Sequence, residues 1–234
     1  MLDSIRAARN VVGDDATDTA AVFGHSQGGH ATLFAAELAP TYAPELDVVG
    51  VAAMAPPTDL AQLMEADQGT ASGILLTAMA VESWARFYPD TPAEDVVSAQ
   101  FLPAIGDLDK KCIETNAQDL IEAPDIADLR RRFLKGDPAA SPAWEPHFVA
   151  NSPAVAPLSV PLFVAQGAID EIVHPEVTQA YVQHECDADG DVELKMYPDT
   201  GHFAVKTVAA PDVFAWLMAR IDGEATTPNC ATSS

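Results

Sequence analysis

Residues 19–38, TAAVFGHSQGGHATLFAAEL, decide the fold because they combine a short apolar run, a glycine-rich corner and a helix-forming segment. The apolar or small residues at 20–23 suit a buried parallel strand, and residues 27–38 are rich in helix formers. The corner between them, GHSQG at 24–28, has the G-x-S-x-G pattern of a nucleophile elbow, in which a serine is exposed on a strained strand-to-helix turn. The pattern predicts that Ser26 is a nucleophile.

The glycines of this corner predict a close approach of the backbone to itself. We expect the positions two residues before and after Ser26 to require residues without a Cβ, because the chain folds back there. The Gln27 N–H comes at the start of the following helix, where it and the helix dipole can stabilise a developing oxyanion. A plain strand-to-helix turn is the alternative interpretation of the same residues.

Composition limits the classes of partner. With 234 residues, the chain is long enough for one sizeable core, or for a core with an inserted cap. The formal charge of −23, from 35 acidic and 12 basic residues, argues against a nucleic acid or an anionic membrane as partner. No apolar run approaches the ~20 residues of a membrane span, so stable membrane insertion is not expected.

Three cysteines, Cys112, Cys186 and Cys230, leave at least one thiol unpaired within the chain. None of them forms a C-x-x-C pair, so zinc is not predicted. Residues 1–12 have the pattern of an amphipathic helix rather than of a signal peptide, since they lack an uninterrupted apolar region and a cleavage site. A cytoplasmic protein, or an exported one whose leader is absent from this chain, would both fit these features.

Apolar strands alternate with helices along part of the chain. After the strand at 20–23 comes a helix predicted to end near Pro40, followed by strands at 48–54, 160–165 and 192–197. Near-continuous apolar strands of this kind are typical of a parallel sheet with helices on both faces. The sequence therefore predicts an α/β fold with a mostly parallel sheet of about four strands flanked by helices.

The segment between the second and third strands differs from the rest. It contains many prolines and helical patterns at 71–87, 109–121 and 126–134, but no strand of similar quality. We interpret residues 58–157 as a helical cap inserted into a core formed by residues 1–57 and 158–222, because one crossover needs far fewer residues. Long crossover helices are the alternative. Residues 223–234 are expected to form a flexible polar tail.

A serine nucleophile needs a general base and an orienting carboxylate. Asp170 follows the third predicted strand and His202 follows the fourth, which gives the order Ser, Asp, His of α/β-hydrolases. The carboxyl ends of parallel strands lie at one edge of the sheet, so the three side chains are expected to converge. The competing residues are Glu171 and Asp199 as acid, and His25, His30, His147, His174 and His184 as base.

The elbow GHSQGG, the stretch APPTDL at 55–60, the acid loop around Asp170 and the TGHF motif at 200–203 resemble the α/β-hydrolase superfamily, and the secretory lipase family in particular. This resemblance implies a carboxylic ester hydrolase without metal or cofactor, in which Ser26 is the nucleophile, Asp170 the acid and His202 the base. It also implies that the Gln27 N–H is an oxyanion donor, that Cys186 and Cys230 form a disulfide, and that the protein is secreted.

The resemblance is incomplete at the start of the chain. In the family four strands precede the nucleophile strand, and they have no counterpart here; nor has the loop that supplies the second oxyanion donor. We therefore expect a truncated fold in which Cys112 is free. The uncovered edge of the strand at 20–23 predicts a homodimer through that edge, a rearranged edge, or a fragment of a longer protein.

The predicted function is a serine carboxylic ester hydrolase that forms an acyl-enzyme. Its substrate is expected to be a small ester with a short to medium acyl chain, because losing one oxyanion donor costs ~10² to 10³ in kcat and activated small esters tolerate that loss best. A peptidase or amidase of the same fold, and a binding protein that retains the fold without catalysis, are the alternatives.

Overall fold

The computed structural model describes residues 1–13, 17–103, 105, 132–153 and 157–230. The chain divides into two compact units. One comprises Met1–Thr58 and Ser152–Ser234, and the other comprises Asp59–Asn151. We call them the sheet unit and the helical unit.

The sheet unit contains four parallel strands. They are β1 (Thr19–His25), β2 (Asp47–Met54), β3 (Leu162–Gly167) and β4 (Val192–Tyr197). Their spatial order, β1-β2-β3-β4, equals their order in the sequence, and each neighbouring pair is parallel. The predicted α/β architecture with a parallel sheet of about four strands is confirmed.

Helices precede, separate and follow these strands. In chain order they are α1 (Leu2–Val12), α2 (Gln27–Tyr42), α3 (Leu60–Ala66), α4 (Ala71–Phe87), α5 (Ala93–Val96), α6 (Glu145–Ala150), α7 (Pro175–Asp187), α8 (His202–Val208) and α9 (Ala210–Ile221). Helices α1, α2, α7, α8 and α9 belong to the sheet unit.

The sheet has a hydrophobic core on each face. Val164 and Leu162 of β3 pack into one core with Leu33 of α2, whereas Phe163 of the same strand packs into the other core with Trp216 of α9. Alternate residues of a strand point to opposite faces, so a strand covered by helices on both sides must be apolar throughout. β3 satisfies this condition, because all six of its residues are buried.

β1 differs from the buried strand that the sequence predicts. It lies at one end of the sheet order, Val22 is its one buried residue, and Phe23 is 43% exposed. The apolar run at 20–23 is the same kind of run as in β3, and it is the position in the sheet that leaves β1 partly exposed.

α2 runs past Pro40, near which the sequence predicted its end. A proline in a helix removes one N–H donor and crowds the carbonyl four residues earlier. Here it falls in the last turn, and the helix closes two residues later, where the Ala43 N–H donates to the Ala39 carbonyl at 2.9 Å. One lost bond near the end of a 16-residue helix is tolerated.

The helical unit is held by its own capping bonds and its own core. Thr70 caps α4 through its hydroxyl, which accepts the Gly73 N–H at 2.9 Å, and α4 has the bounds predicted for it. Buried side chains form the core of the unit, among them Ile74, Val81, Phe133, Trp144 and Phe148. The predicted helix at 109–121 and Cys112 lie outside the described residues, as does most of 126–134, and Leu134 forms an antiparallel bridge with Val97. The role of the unit as a cap stays a prediction.

The C-terminal segment, predicted as a flexible polar tail, is described as far as Cys230. It contains no helix or strand from 224 to 230, yet the Asn229 N–H donates to the Val192 carbonyl at 3.1 Å. Cys230 forms a disulfide with Cys186 of α7. A backbone bond and a covalent link therefore attach residues 229 and 230 to β4 and α7. The flexibility of the tail stays a prediction.

Candidate active site

Ser26 stands alone between β1 and α2, in a backbone conformation that a residue with a Cβ rarely adopts. Its φ is 56° and its ψ is −122°. Its N–H donates to the Met54 carbonyl at the end of β2, at 2.8 Å, which fixes the corner to the neighbouring strand. A strained corner of this kind presents the serine side chain outside the regular hydrogen bonding of either element.

The two outer glycines of the elbow have different roles. A Cβ on Gly24 would lie 2.2 Å from the Gly28 carbonyl oxygen, so that position excludes any side chain. A Cβ on Gly28 would meet nothing within 4 Å. The prediction that both positions require glycine is therefore right for Gly24 and wrong for Gly28, because the carbonyl of Gly28 approaches Gly24 while the Cβ position of Gly28 points into open space.

The structure brings together Ser26, His202 and Asp170, which the sequence predicted as nucleophile, base and acid. His202 Nε2 lies 2.8 Å from Ser26 Oγ, and His202 Nδ1 lies 2.8 Å from Asp170 Oδ2. A carboxylate accepts, so Nδ1 carries the proton and Nε2 is the nitrogen that accepts the serine O–H. The His202 and Asp170 side chains are 5% and 0% exposed, respectively.

The loop that carries Asp170 contacts the loop that carries His202. The Ile169 N–H donates to the Thr200 carbonyl at 3.2 Å. A Cβ on Gly167, at the end of β3, would lie 2.3 Å from that same carbonyl oxygen. Gly167 therefore permits the contact that holds Asp170 beside His202.

The Asp170 carboxylate accepts hydrogen bonds at both oxygens. Oδ1 accepts the N–H groups of Ile172 and Val173, each at 2.9 Å. Oδ2 accepts from His202 and, at 3.3 Å, from the amide of Gln166. These four hydrogen bonds hold the carboxylate in one orientation beside His202.

Gln166 is a residue that the sequence reasoning missed. It is fully buried in β3, and its Oε1 accepts the Thr178 hydroxyl at 2.8 Å. Its amide also donates to the Val173 carbonyl at 3.0 Å, so it links the strand, the acid loop and α7. A glutamine at the end of an otherwise apolar strand was the available signal, since a buried amide needs nearby partners.

The two histidines of the GHSQGGH segment each contact a backbone carbonyl oxygen, whereas Ser26 Oγ contacts His202. His25 Nε2 lies 2.8 Å from the His202 carbonyl oxygen. His30 Nδ1 lies 2.7 Å from the Pro57 carbonyl oxygen. Burial is the main factor that lowers the pKa of both rings, so both are held in the neutral form.

The structure also describes three other competing residues, His147, His174 and Asp199. His147 contacts Asp90 within the helical unit at 3.2 Å, and His174 precedes the first turn of α7. Asp199, the alternative acid, lies in the turn after β4 with a φ of 53°.

Gln27 is the first residue of α2, where backbone N–H groups are not used by the helix itself. The dipole of a helix also favours negative charge at this end. The role of the Gln27 N–H as oxyanion donor stays a prediction.

Within the described parts of the chain, no group of three or more His, Cys, Asp or Glu side chains is arranged to hold a metal ion. No described helix is long and apolar enough to cross a membrane.

Comparison with known proteins identifies the family of the chain. The family model described as secretory lipase matches residues 1–229. "Lipase 2" of Candida albicans is 28% identical over 98% of this chain, and the "Probable trichothecene esterase" of Stachybotrys chartarum is 27% identical over 98%. The chain spans about half the length of these curated relatives, 52% and 48%.

A solved structure shows the same fold. The crystal structure of Candida antarctica lipase A superposes with a TM-score of 0.72 at 22% identity, covering 98% of this chain and 55% of that one. The four-stranded sheet with its helices thus corresponds to part of an α/β-hydrolase fold. Together with the family match over nearly all residues, these likenesses confirm the resemblance seen in the sequence: the chain belongs to the secretory lipase family.

Proposed function

We propose that this chain is a serine ester hydrolase in which Ser26, His202 and Asp170 form the catalytic triad. The observation that carries the proposal is the pair of 2.8 Å contacts through which the His202 ring joins Ser26 Oγ to Asp170 Oδ2. Relatives named lipase and esterase support the same reaction class.

The reaction runs in two steps. As Ser26 Oγ attacks the ester carbonyl, His202 Nε2 takes the serine proton, and it then gives that proton to the departing alcohol. The resulting acyl-enzyme is attacked by water, whose proton also goes to Nε2 and returns to Ser26 Oγ when the acid leaves. Asp170 keeps the proton on Nδ1 and stabilises the imidazolium that forms twice in each cycle.

Charge also develops on the carbonyl oxygen of the substrate. In the proposed site the Gln27 N–H, at the start of a 16-residue helix, stabilises that oxyanion. We expect activated esters with short to medium acyl chains to turn over best, because they depend least on oxyanion stabilisation, to which a single donor contributes ~10² to 10³ in kcat.

The disulfide and the family suggest where the protein works. Disulfides persist in oxidising compartments, and the matching family is described as secretory. We propose an extracytoplasmic enzyme that acts on small esters.

A fluorophosphonate probe tests the assignment directly, because it reacts with an activated serine. We expect wild-type protein to be labelled at Ser26, and the Ser26→Ala variant to be unlabelled and inactive toward p-nitrophenyl esters. Asp170→Asn is expected to lower kcat by about 10⁴-fold, since the wrong tautomer of His202 then faces the serine. Equal melting temperatures would show that both variants are folded.

A series of p-nitrophenyl esters from acetate to palmitate separates the competing substrate classes. Highest kcat/KM for short or medium chains is the expected result, whereas a maximum at palmitate would contradict that choice. Faster turnover of aminoacyl p-nitroanilides would favour a peptidase. Folded wild-type protein that neither reacts with the probe nor hydrolyses any ester would overturn the enzymatic assignment and favour a binding protein.

A further inference from the structure

His25, the residue before the nucleophile, contacts the main chain of the base. Its Nε2 lies 2.8 Å from the carbonyl oxygen of His202, across 177 positions of sequence. The rings of His25 and His202 also lie close, with centroids 4.8 Å apart and planes inclined by 43°. The His202 side chain already contacts Ser26 and Asp170, so His25 fixes a different part of the same residue.

The direction of the His25 side chain follows from the strand. Residues 21, 23 and 25 of β1 point to one face of the sheet, because a strand has a side-chain period of two. On that face Phe23 contacts Phe214 of α9, with ring centroids 5.1 Å apart. His25 therefore points toward α8 and α9, where His202 is the first residue of α8.

The bond also defines the state of the ring. A carbonyl oxygen only accepts, so Nε2 of His25 carries a proton and donates it. Burial lowers the pKa of His25, and the proximity of His202 and Lys206 lowers it further, whereas the bond to the His202 backbone and the Asp170 carboxylate oppose the shift. His25 is thus a neutral donor, with Nδ1 unprotonated.

We infer that His25 is a positioning residue for His202, an inference that rests on the proposed function. By holding the first carbonyl of α8, it sets the point from which the His202 side chain reaches both Ser26 and Asp170. α8 has only seven residues. The Gly201 carbonyl accepts the N–H groups of Ala204 and Val205 at its start, both at 3.1 Å, and His25 adds a bond to the next carbonyl from a different strand.

Two effects of His25 act together. Removing the donor leaves a carbonyl beside the buried His202 without that partner, and α8 then shifts to recover a bond. A neutral ring at 4.8 Å also avoids placing a second positive charge beside the imidazolium that forms during the reaction. Both effects concern the base and leave the binding of substrate unchanged.

Two variants separate the donor from the packing of the ring. His25→Phe keeps an aromatic ring against His202 and removes the donor. His25→Gln removes the ring and provides an amide N–H at about the position of Nε2. We expect His25→Phe to lower kcat about 10- to 100-fold with KM within about twofold of wild type, the scale of a misplaced catalytic group. His25→Gln is expected to recover most of the loss.

A proton NMR measurement provides a readout that is independent of turnover. The low-field resonance of the His202 Nδ1–H, assigned with isotope-labelled histidine, reports its bond to Asp170. We expect it in wild-type protein and in His25→Gln, and expect it broadened or shifted in His25→Phe at an unchanged melting temperature. An unchanged resonance in folded His25→Phe overturns the positioning role, whatever the activity.

The kinetic outcomes distinguish the role of His25 from the proposed ester hydrolase function. Active wild type with an equally active His25→Phe overturns the role of His25 and leaves the ester hydrolase intact. Inactive wild type overturns the proposed function, and the NMR comparison still decides whether His25 positions His202. Equal losses in His25→Phe and His25→Gln contradict the inference, because an N–H donor at this position then restores nothing.

Discussion

The outer edges of the two outermost strands, β1 and β4, differ in what covers them. At the β4 edge, the Asn229 side chain exchanges two hydrogen bonds with the backbone of Leu194: its Oδ1 accepts the N–H and its amide donates to the carbonyl, both at 2.8 Å. At the β1 edge, the described residues supply no further strand. One edge is thus covered by the chain itself, and the other is the edge next to the nucleophile.

The surface beside the β1 edge carries exposed apolar side chains. Next to β1, Phe23 lies against Phe214, which is 51% exposed. On α9, Met218 and Ile221 continue an exposed apolar row at helical spacing. Unpaired backbone groups beside apolar side chains are a template for pairing with another chain. Among the described residues, the difference shows that the chain covers the β4 edge itself and leaves the β1 edge, which leads to Ser26, without such a cover.

The largest expected effect is at the end of β1. Gly24→Ala should lower the free energy of unfolding by roughly 3 kcal/mol or more, because its Cβ would lie 2.2 Å from a backbone oxygen and the corner must move. Gly28→Ala is the matched control; its Cβ meets nothing within 4 Å, and alanine in a helix is favoured over glycine by about 1 kcal/mol. Urea unfolding measures both. Similar losses would contradict the different roles assigned to the two glycines.

At the opposite edge, the covalent link is expected to have the next largest effect. Cys230→Ser opens the loop closed between positions 44 residues apart and should lower the free energy of unfolding by about 2–5 kcal/mol. Thermal unfolding with and without reductant checks this. Reductant should bring wild type to the level of the variant and leave the variant unchanged; a wild type indifferent to reductant would show that the bond adds no stability.

The amide that covers β4 is expected to contribute less. Asn229→Ala should cost about 1–2 kcal/mol, the scale of two exposed hydrogen bonds to backbone. Asn229→Asp is the control, since its carboxylate still accepts the Leu194 N–H but no longer donates to the carbonyl. Urea unfolding should therefore rank wild type above the aspartate variant and the aspartate above the alanine. Equal stability of all three would mean that the tail does not protect this edge.

The smallest effect on stability, and the most informative for the comparison, is expected at the exposed face of β1. We propose that this edge pairs with a second copy of the chain. Phe23→Lys should change the free energy of unfolding by less than about 1 kcal/mol, because the side chain is half exposed, but it should shift the association equilibrium toward monomer.

Sedimentation velocity over a range of concentrations measures that shift. Phe87→Lys is the control, because Phe87 is 76% exposed in the helical unit and carries the same change of charge. A wild type that stays monomeric at every concentration would contradict pairing through β1, and equal shifts in both variants would assign the effect to net charge.

The parts of the fold that the sequence predicted well are those with local signals. The alternation of apolar and charged residues in β4 and the helical periodicity of α4 predicted the bounds that the structure has. Ser26, Asp170 and His202 could be chosen because each lies where a parallel strand ends. Their convergence followed from topology, without knowledge of any side-chain contact.

Other features depend on contacts between distant residues, which leave no local pattern. Asn229 lies in a polar segment that reads as a loose tail, and its bonds are to a backbone 35 positions away. Gln166 supports Asp170 from inside an apolar strand, and Gly28 looks as constrained as Gly24 until the direction of its Cβ is known. Sequence patterns identify the helices and strands. The contacts between those elements determine which individual residues support the site or the sheet edge.

The positions of Ser26 and His202 at opposite sides of the sheet have a mechanical consequence. Ser26 follows β1 and His202 follows β4, so three strand spacings, about 14 Å, separate the strands that lead to a 2.8 Å contact. Loops at the carboxyl ends close that gap, and any widening or shearing of the sheet opens it. In the proposed enzyme, the reactivity of Ser26 should therefore depend on the integrity of all four strands.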